Sequence, residues 1–179
     1  MPNNYSLCPT STEHQEVISR LLNNGRDISS RKGESLFLQA IELSYFALVN
    51  VLLATRKVDI NSRSKDGQTP LSWAAEKRHE AVVKLLLENG ANTECKDKFG
   101  WTPLSWAARG WNEVVVKLLL ENGADIESKD NPGQTPLSLA EGNRHEAVVK
   151  LLLEKSAEKS QQNDRAKTSP GSRVGDQTS

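Results

Sequence analysis

Cysteine is nearly missing from this chain: Cys8 and Cys95 stand far apart, with no CxxC pair and no metal-type cluster around either. That excludes the disulfide framework of a small secreted domain and points to a reducing interior, cytoplasmic or nuclear. An excess of charge is missing too, since 23 basic side chains balance 23 acidic ones. A nucleic-acid backbone or an anionic membrane needs a basic excess, so neither is expected as the main partner, although a local basic patch is compatible with the balance. The first ten residues are polar and show no apolar signal-peptide run. Asn4-Tyr5-Ser6 fits a glycosylation acceptor, but without a secretory route it reads as a chance match. The longest apolar stretch, Leu36 to Ala54, is interrupted by Gln39, Glu42, Ser44 and Asn50. A packed helix pair is expected there, rather than a membrane span.

Catalytic groups are equally sparse. The chain has three histidines, none with a nucleophile at a suggestive spacing. His79-Glu80 and His145-Glu146 begin like the zinc-protease helix motif, but the position four residues after each His is Val83 or Val149. A second imidazole is needed there to share one metal, so each His is expected to sit structurally near the start of a helix. No glycine-rich phosphate loop follows a strand. Carboxylates such as Glu121 and Asp125 read as a solvated face. No catalytic, cofactor-binding or metal-ligating residue is assigned, no cofactor is expected, and an enzyme ranks last among the readings.

What the chain has is repetition. Gly67-Gln68-Thr69-Pro70-Leu71-Ser72-Trp73-Ala74-Ala75 returns 33 residues later as Gly100-Trp101-Thr102-Pro103-Leu104-Ser105-Trp106-Ala107-Ala108. After another 33 it returns, weakened, as Gly133-Gln134-Thr135-Pro136-Leu137-Ser138-Leu139-Ala140-Glu141. A V-V-K-L-L-L segment follows each in phase, starting at Val82, Val115 and Val148. Each unit reads as a turn and two short helices. Gly67 suits the turn because it tolerates positive φ. Thr69 can cap the first helix and Pro70 suits its first position. Leu71, Ala74 and Ala75 share one face. The second helix is expected from about Glu80 to Glu88, with Val82, Val83, Leu85 and Leu86 as its apolar stripe and Asn89-Gly90 as its stop. Neither helix is long enough to be stable alone, so stacking must supply the burial.

This unit resembles the ankyrin repeat, a 33-residue turn-helix-helix with a T-P-L-H-x-A core. The T-P-L-S-W-A-A and V-V-K-L-L-L-E-N-G-A forms resemble the near-identical arrays common in filamentous fungi. Ser72, Ser105 and Ser138 stand where the family usually has His, so the resemblance does not carry over the inter-repeat hydrogen bonding attributed to that His. The implied fold is an all-α ankyrin solenoid over residues 13–155, with a half-unit at 13–32 and units at 33–66, 67–99, 100–132 and 133–155. The half-unit rests on Val17, Ile18, Leu21 and Leu22, with Thr12 and Gln15 as a cap. The first full unit has Ser35-Leu36 in place of Thr-Pro and one extra residue near Arg56-Lys57-Val58. Residues 1–12 and 156–179 have little to bury and are expected to be disordered. Ser169-Pro170 in the tail fits a phosphate acceptor, a common dipeptide in such segments.

The resemblance also implies a concave binding surface made of turn tips and the exposed face of each first helix. Carried onto this chain, it offers Lys98, Phe99, Trp101 and Arg109 in the third unit and Gln68, Lys77 and Gln134 beside them. Phe99 and Trp101 are the informative pair, because large aromatic groups on turn tips suit a partner pocket. Trp73 and Trp106 share one internal column with Leu139 and read as stack packing. Ankyrin units place Gly in the turn between the helices, where φ is positive. Arg78, Trp111 and Arg144 occupy that slot here, at a cost of about 1 kcal/mol each, and a mixed aromatic-cationic strip with Phe99 and Trp101 is expected. Asp59-Ile60-Asn61 resembles the loop in which some ankyrin proteins are hydroxylated, against the plainer reading of an Asn that bonds its own loop. The expected partner is a protein bound by a monomer, without direct nucleic-acid contact. The other readings are a transcription coregulator or nuclear adaptor acting through a bound transcription factor, and a shortened descendant of a larger ankyrin protein.

Overall fold

The computed structural model describes residues 31–167, with side-chain surroundings for 37–161. The expected half-unit, the two termini, Cys8, Asn4 and Ser169 lie wholly or mainly outside the described residues. Eight helices form four antiparallel pairs among those described: α1 (Arg31–Glu42) with α2 (Phe46–Ala54), α3 (Pro70–Glu76) with α4 (Glu80–Glu88), α5 (Pro103–Arg109) with α6 (Glu113–Glu121), and α7 (Pro136–Gly142) with α8 (Glu146–Lys167). The pairs stack in chain order, first helix against first helix and second against second. Leu36–Ala54 is therefore a helix pair broken at residues 43–45, and no helix among the described residues is long and apolar enough to cross a membrane.

The Thr-Pro steps start the short helices as their chemistry requires. The side chains of Thr69, Thr102 and Thr135 accept from the amides of Ser72, Ser105 and Ser138, and each following Pro occupies the first turn. The serines are thus spent on capping: the Thr69 and Ser72 hydroxyls lie 3.1 Å apart, and those of Thr102 and Ser105 3.2 Å. Without a Thr-Pro step, α1 runs 12 residues, against seven in each of α3, α5 and α7. Leu71, Ala74, Ala75, Leu104, Ala107 and Ala108 are fully buried between neighbouring units, with Val82, Val83, Leu86, Val115, Val116 and Leu119 behind them. Gly90 and Gly123 end α4 and α6 at φ 82° and 84°.

The last unit departs from expectation. Where α4 and α6 meet Asn-Gly, α8 meets Lys155-Ser156 and continues as helix to Lys167. Residues 156–167 are thus helical, in place of the disorder expected of 156–179. The stop is missing, and Lys155 pairs with Glu158 at 2.7 Å across one turn. Lys159 reaches back to Asp125 of the preceding unit at 3.2 Å.

Backbone contacts repeat at the step of the sequence. Lys98 N–H donates to Asp66 O and Asn131 N–H to Phe99 O, both at 3.0 Å, so the turn tips form a ladder. Arg63 donates to Lys96 O and Lys96 to Lys129 O, each across 33 residues. Asn61 Oδ1 accepts from Asn92 N–H at 2.9 Å. That side chain ties its loop to the next one, beyond the local role expected of it. Inter-unit bonds also come from His79 and His145, whose Nε2 atoms lie 3.0 and 2.8 Å from Glu42 O and Arg109 O. A carbonyl only accepts, so Nε2 carries the proton in each.

Candidate binding surface on the third unit

The turn entering α5 is organised by one carboxylate. Asp97 is 8 % exposed, and its Oδ1 accepts from the amides of Phe99 (2.8 Å) and Trp101 (3.0 Å). Its Oδ2 accepts from Trp106 Nε1 at 3.0 Å. Asp130, one unit on, does the same for its own turn by accepting from Gln134 N–H at 2.6 Å. Its outer oxygen is claimed from behind, by Trp101 Nε1 at 3.0 Å. The two indoles meet edge to face, with centroids 4.6 Å apart. Arg109, exposed at the end of α5, lays its guanidinium 5.1 Å from the Trp101 centroid and 5.9 Å from that of Trp106.

Around this cluster the expected residues separate by burial. Phe99 is 50 % exposed, with the Lys98 ammonium 5.0 Å from its ring centre, and Lys98 also pairs with Asp66. Trp101 is half-buried; Gln134 and Lys77 are exposed, Lys77 lying 5.6 Å from the Trp73 centroid. Gln68 is only 7 % exposed, and its amide donates to Glu76 at the end of α3. Trp106, at 9 % exposed, packs in the stack as its column suggests, with a hydrogen bond the sequence reading did not include.

The inter-helix turns carry the positive φ expected of them: Arg78 at 62°, Trp111 at 56° and Arg144 at 58°, joined by Ser44 at 55° in the first pair. Trp111 is 59 % exposed and stacks on His145, 5.9 Å between centroids and 5° from parallel. Arg109, the last residue of α5, links the turn tip to this turn: its guanidinium lies on the Trp101 ring and its carbonyl accepts from His145, on which Trp111 stacks. Asp97 and Asp130 are the organising residues that sequence reasoning missed. Comparing position 64 with 97 and 130 beside the tryptophan column would have found them.

Among the described residues no group of three or more His, Cys, Asp or Glu is placed to hold a metal ion. Two shallow hollows lie elsewhere, one walled by Arg144, Val149 and Leu153 and one where Lys159 meets Asp125. Neither gathers a nucleophile with a base.

Comparison with known proteins agrees with this architecture. The family model for ankyrin repeats (3 copies) matches residues 8–97 and 83–163. Alpha-latrocrustotoxin-Lt1a of Latrodectus tredecimguttatus is 32% identical over 81 residues, covering 45% of this chain and 6% of the toxin. The ankyrin repeat and KH domain-containing protein mask of Drosophila melanogaster is 36% identical over 99 residues, 50% of this chain and 2% of that protein. BCL-6 corepressor-like protein 1 of Mus musculus is 29% identical over 94 residues, 52% of this chain and 5% of that protein. The chain thus spans a small fraction of the length of each of these relatives. With the family model matched along nearly the whole array and the helix pairs stacked in register, the chain belongs to the ankyrin-repeat family.

Proposed function

We propose that the chain is a non-catalytic protein-binding module whose concave surface engages a partner protein through the turn tips and first helix of the third unit. One observation carries this reading: a half-exposed Phe99 stands two residues from Trp101, on a turn fixed by buried Asp97. An aromatic side chain on a rigid support gives up little conformational freedom when a partner covers it. The core of the stack is complete without the Phe99 ring. Trp111, 59 % exposed in the turn after α5, offers a second contact.

A photo-crosslinking amino acid at Phe99, compared with one at Lys117 on the outer helix α6, tests the assignment in native lysate. Partner adducts concentrated at position 99 support it; equal labelling at both positions overturns it.

A second reading, a coregulator or nuclear adaptor acting through a bound transcription factor, is favoured by the similarity to BCL-6 corepressor-like protein 1. Chromatin association that vanishes with the bound partner separates that role from a cytosolic one.

A further inference from the structure

We propose that Arg109 is a receptor for a single carboxylate side chain on a segment of a partner protein, with the exposed Phe99 ring taking an apolar neighbour of that side chain. This rests on the reading of the third unit as the binding surface and names the chemistry it recognises.

The guanidinium is positioned but not neutralised. Trp101 and Trp106 hold it by their ring faces, at 5.1 and 5.9 Å, and among the described residues no carboxylate pairs with it. The two acids best placed in the cluster are already committed. Asp97 spends Oδ1 on two amides and Oδ2 on Trp106, and Asp130 spends its oxygens on Gln134 N–H and Trp101 Nε1. Stacking leaves the in-plane N–H donors of an Arg side chain open, and their fork matches a carboxylate.

The neighbouring unit supplies the contrast. The residue in the place of Arg109 is Glu76, which pairs internally with Lys77 at 3.6 Å and accepts from Gln68 at 3.2 Å. One open cation beside a closed anionic site suits a single carboxylate. A phosphate backbone laid along this face would meet Glu76 as well as Arg109, and the chain's zero formal net charge supplies no surplus to offset it.

The test uses two random peptide libraries, identical except that every acidic position is Glu in one and Gln in the other. They are panned against the full chain and against Arg109→Gln. The intact chain should enrich the Glu library, and each selected peptide should lose about tenfold in affinity when its Glu becomes Gln. Arg109→Gln should bind both forms equally. Arg109→Lys, which keeps the charge without the planar fork, should retain part of the preference. Equal recovery from both libraries overturns the proposal, as does a Glu preference that survives Arg109→Gln. Stronger Arg109-dependent retention of RNA or of a phosphopeptide also overturns it. Melting curves of the variants, expected to match the parent within a few degrees for an exposed side chain, separate lost recognition from lost fold. Position-99 crosslinks that persist while the libraries are recovered equally leave the surface standing and remove the carboxylate receptor.

Discussion

Trp106 Nε1 donates to Asp97 Oδ2 at 3.0 Å, while Trp73, one unit earlier in the same column, has a buried Nε1 with no hydrogen-bond partner. The difference lies at position 64. There Ser64 replaces the aspartate of positions 97 and 130, and its hydroxyl accepts from the Asp66 and Gln68 amides but offers no second oxygen. A buried donor left unpaired costs about 1–3 kcal/mol. Ser64→Asp should therefore raise stability by about 1 kcal/mol, seen as a higher denaturant midpoint at unchanged m-value. The same change in a Trp73→Phe background should give no gain.

The inter-helix slots invite the opposite experiment. Arg78 holds φ 62° and Arg144 φ 58°, a region that costs an L-residue about 1–2 kcal/mol. Arg78→Gly and Arg144→Gly should each stabilise the array by up to about 1 kcal/mol. Trp111→Gly should gain less, because it also gives up the stack on His145. Chemical denaturation of the three variants side by side measures the ordering.

Leu119 is fully buried in α6, a helix that packs against α4 on one side and α8 on the other. Leu119→Ala should cost about 2–5 kcal/mol. In a stack where each unit is stabilised by its neighbours, the loss should also lower the protection of α4 and α8 in hydrogen exchange. Loss confined to α6 would contradict that coupling.

Acid should loosen the end of the array. Burial tends to raise the Asp125 pKa, but the Glu127 amide and the Lys159 ammonium outweigh it and hold the carboxyl below its usual value of 3.8. A depressed carboxylate adds stability that is fully present above the unfolded value and is lost as pH falls through the lowered one. The contact is exposed, so its contribution is small and shrinks with salt. Amide exchange around Lys159 should quicken as pH drops below about 4, after correction for intrinsic rates, and Asp125→Asn should remove that dependence.

The stack was legible in the sequence because its causes are local and periodic. Thr69-Pro70, Val82 to Leu86 and Asn89-Gly90 each act within a few residues, and the 33-residue step carries them through the chain. The positive-φ slots followed from the same register. The site was legible only in part. Phe99, Trp101 and Arg109 stand out by composition, but their arrangement depends on contacts from Trp101 to Asp130, 29 residues away, and from Arg109 back over two indoles. Gln68 looked like its exposed counterpart Gln134 because a column position does not reveal that Glu76 draws it inward. The helix beyond Lys155 was missed because low hydrophobicity resembles disorder, whereas a missing stop lets a helix persist.

That missing stop fixes an angle. Since α8 runs unbroken from the last stacked unit to Lys167, the array sets the direction of its outer part. Deleting or inserting one residue after Lys155 would turn everything beyond by about 100° and shift it by about 1.5 Å. A change there would re-aim the outer helix and carry Lys159 away from Asp125 of the preceding unit.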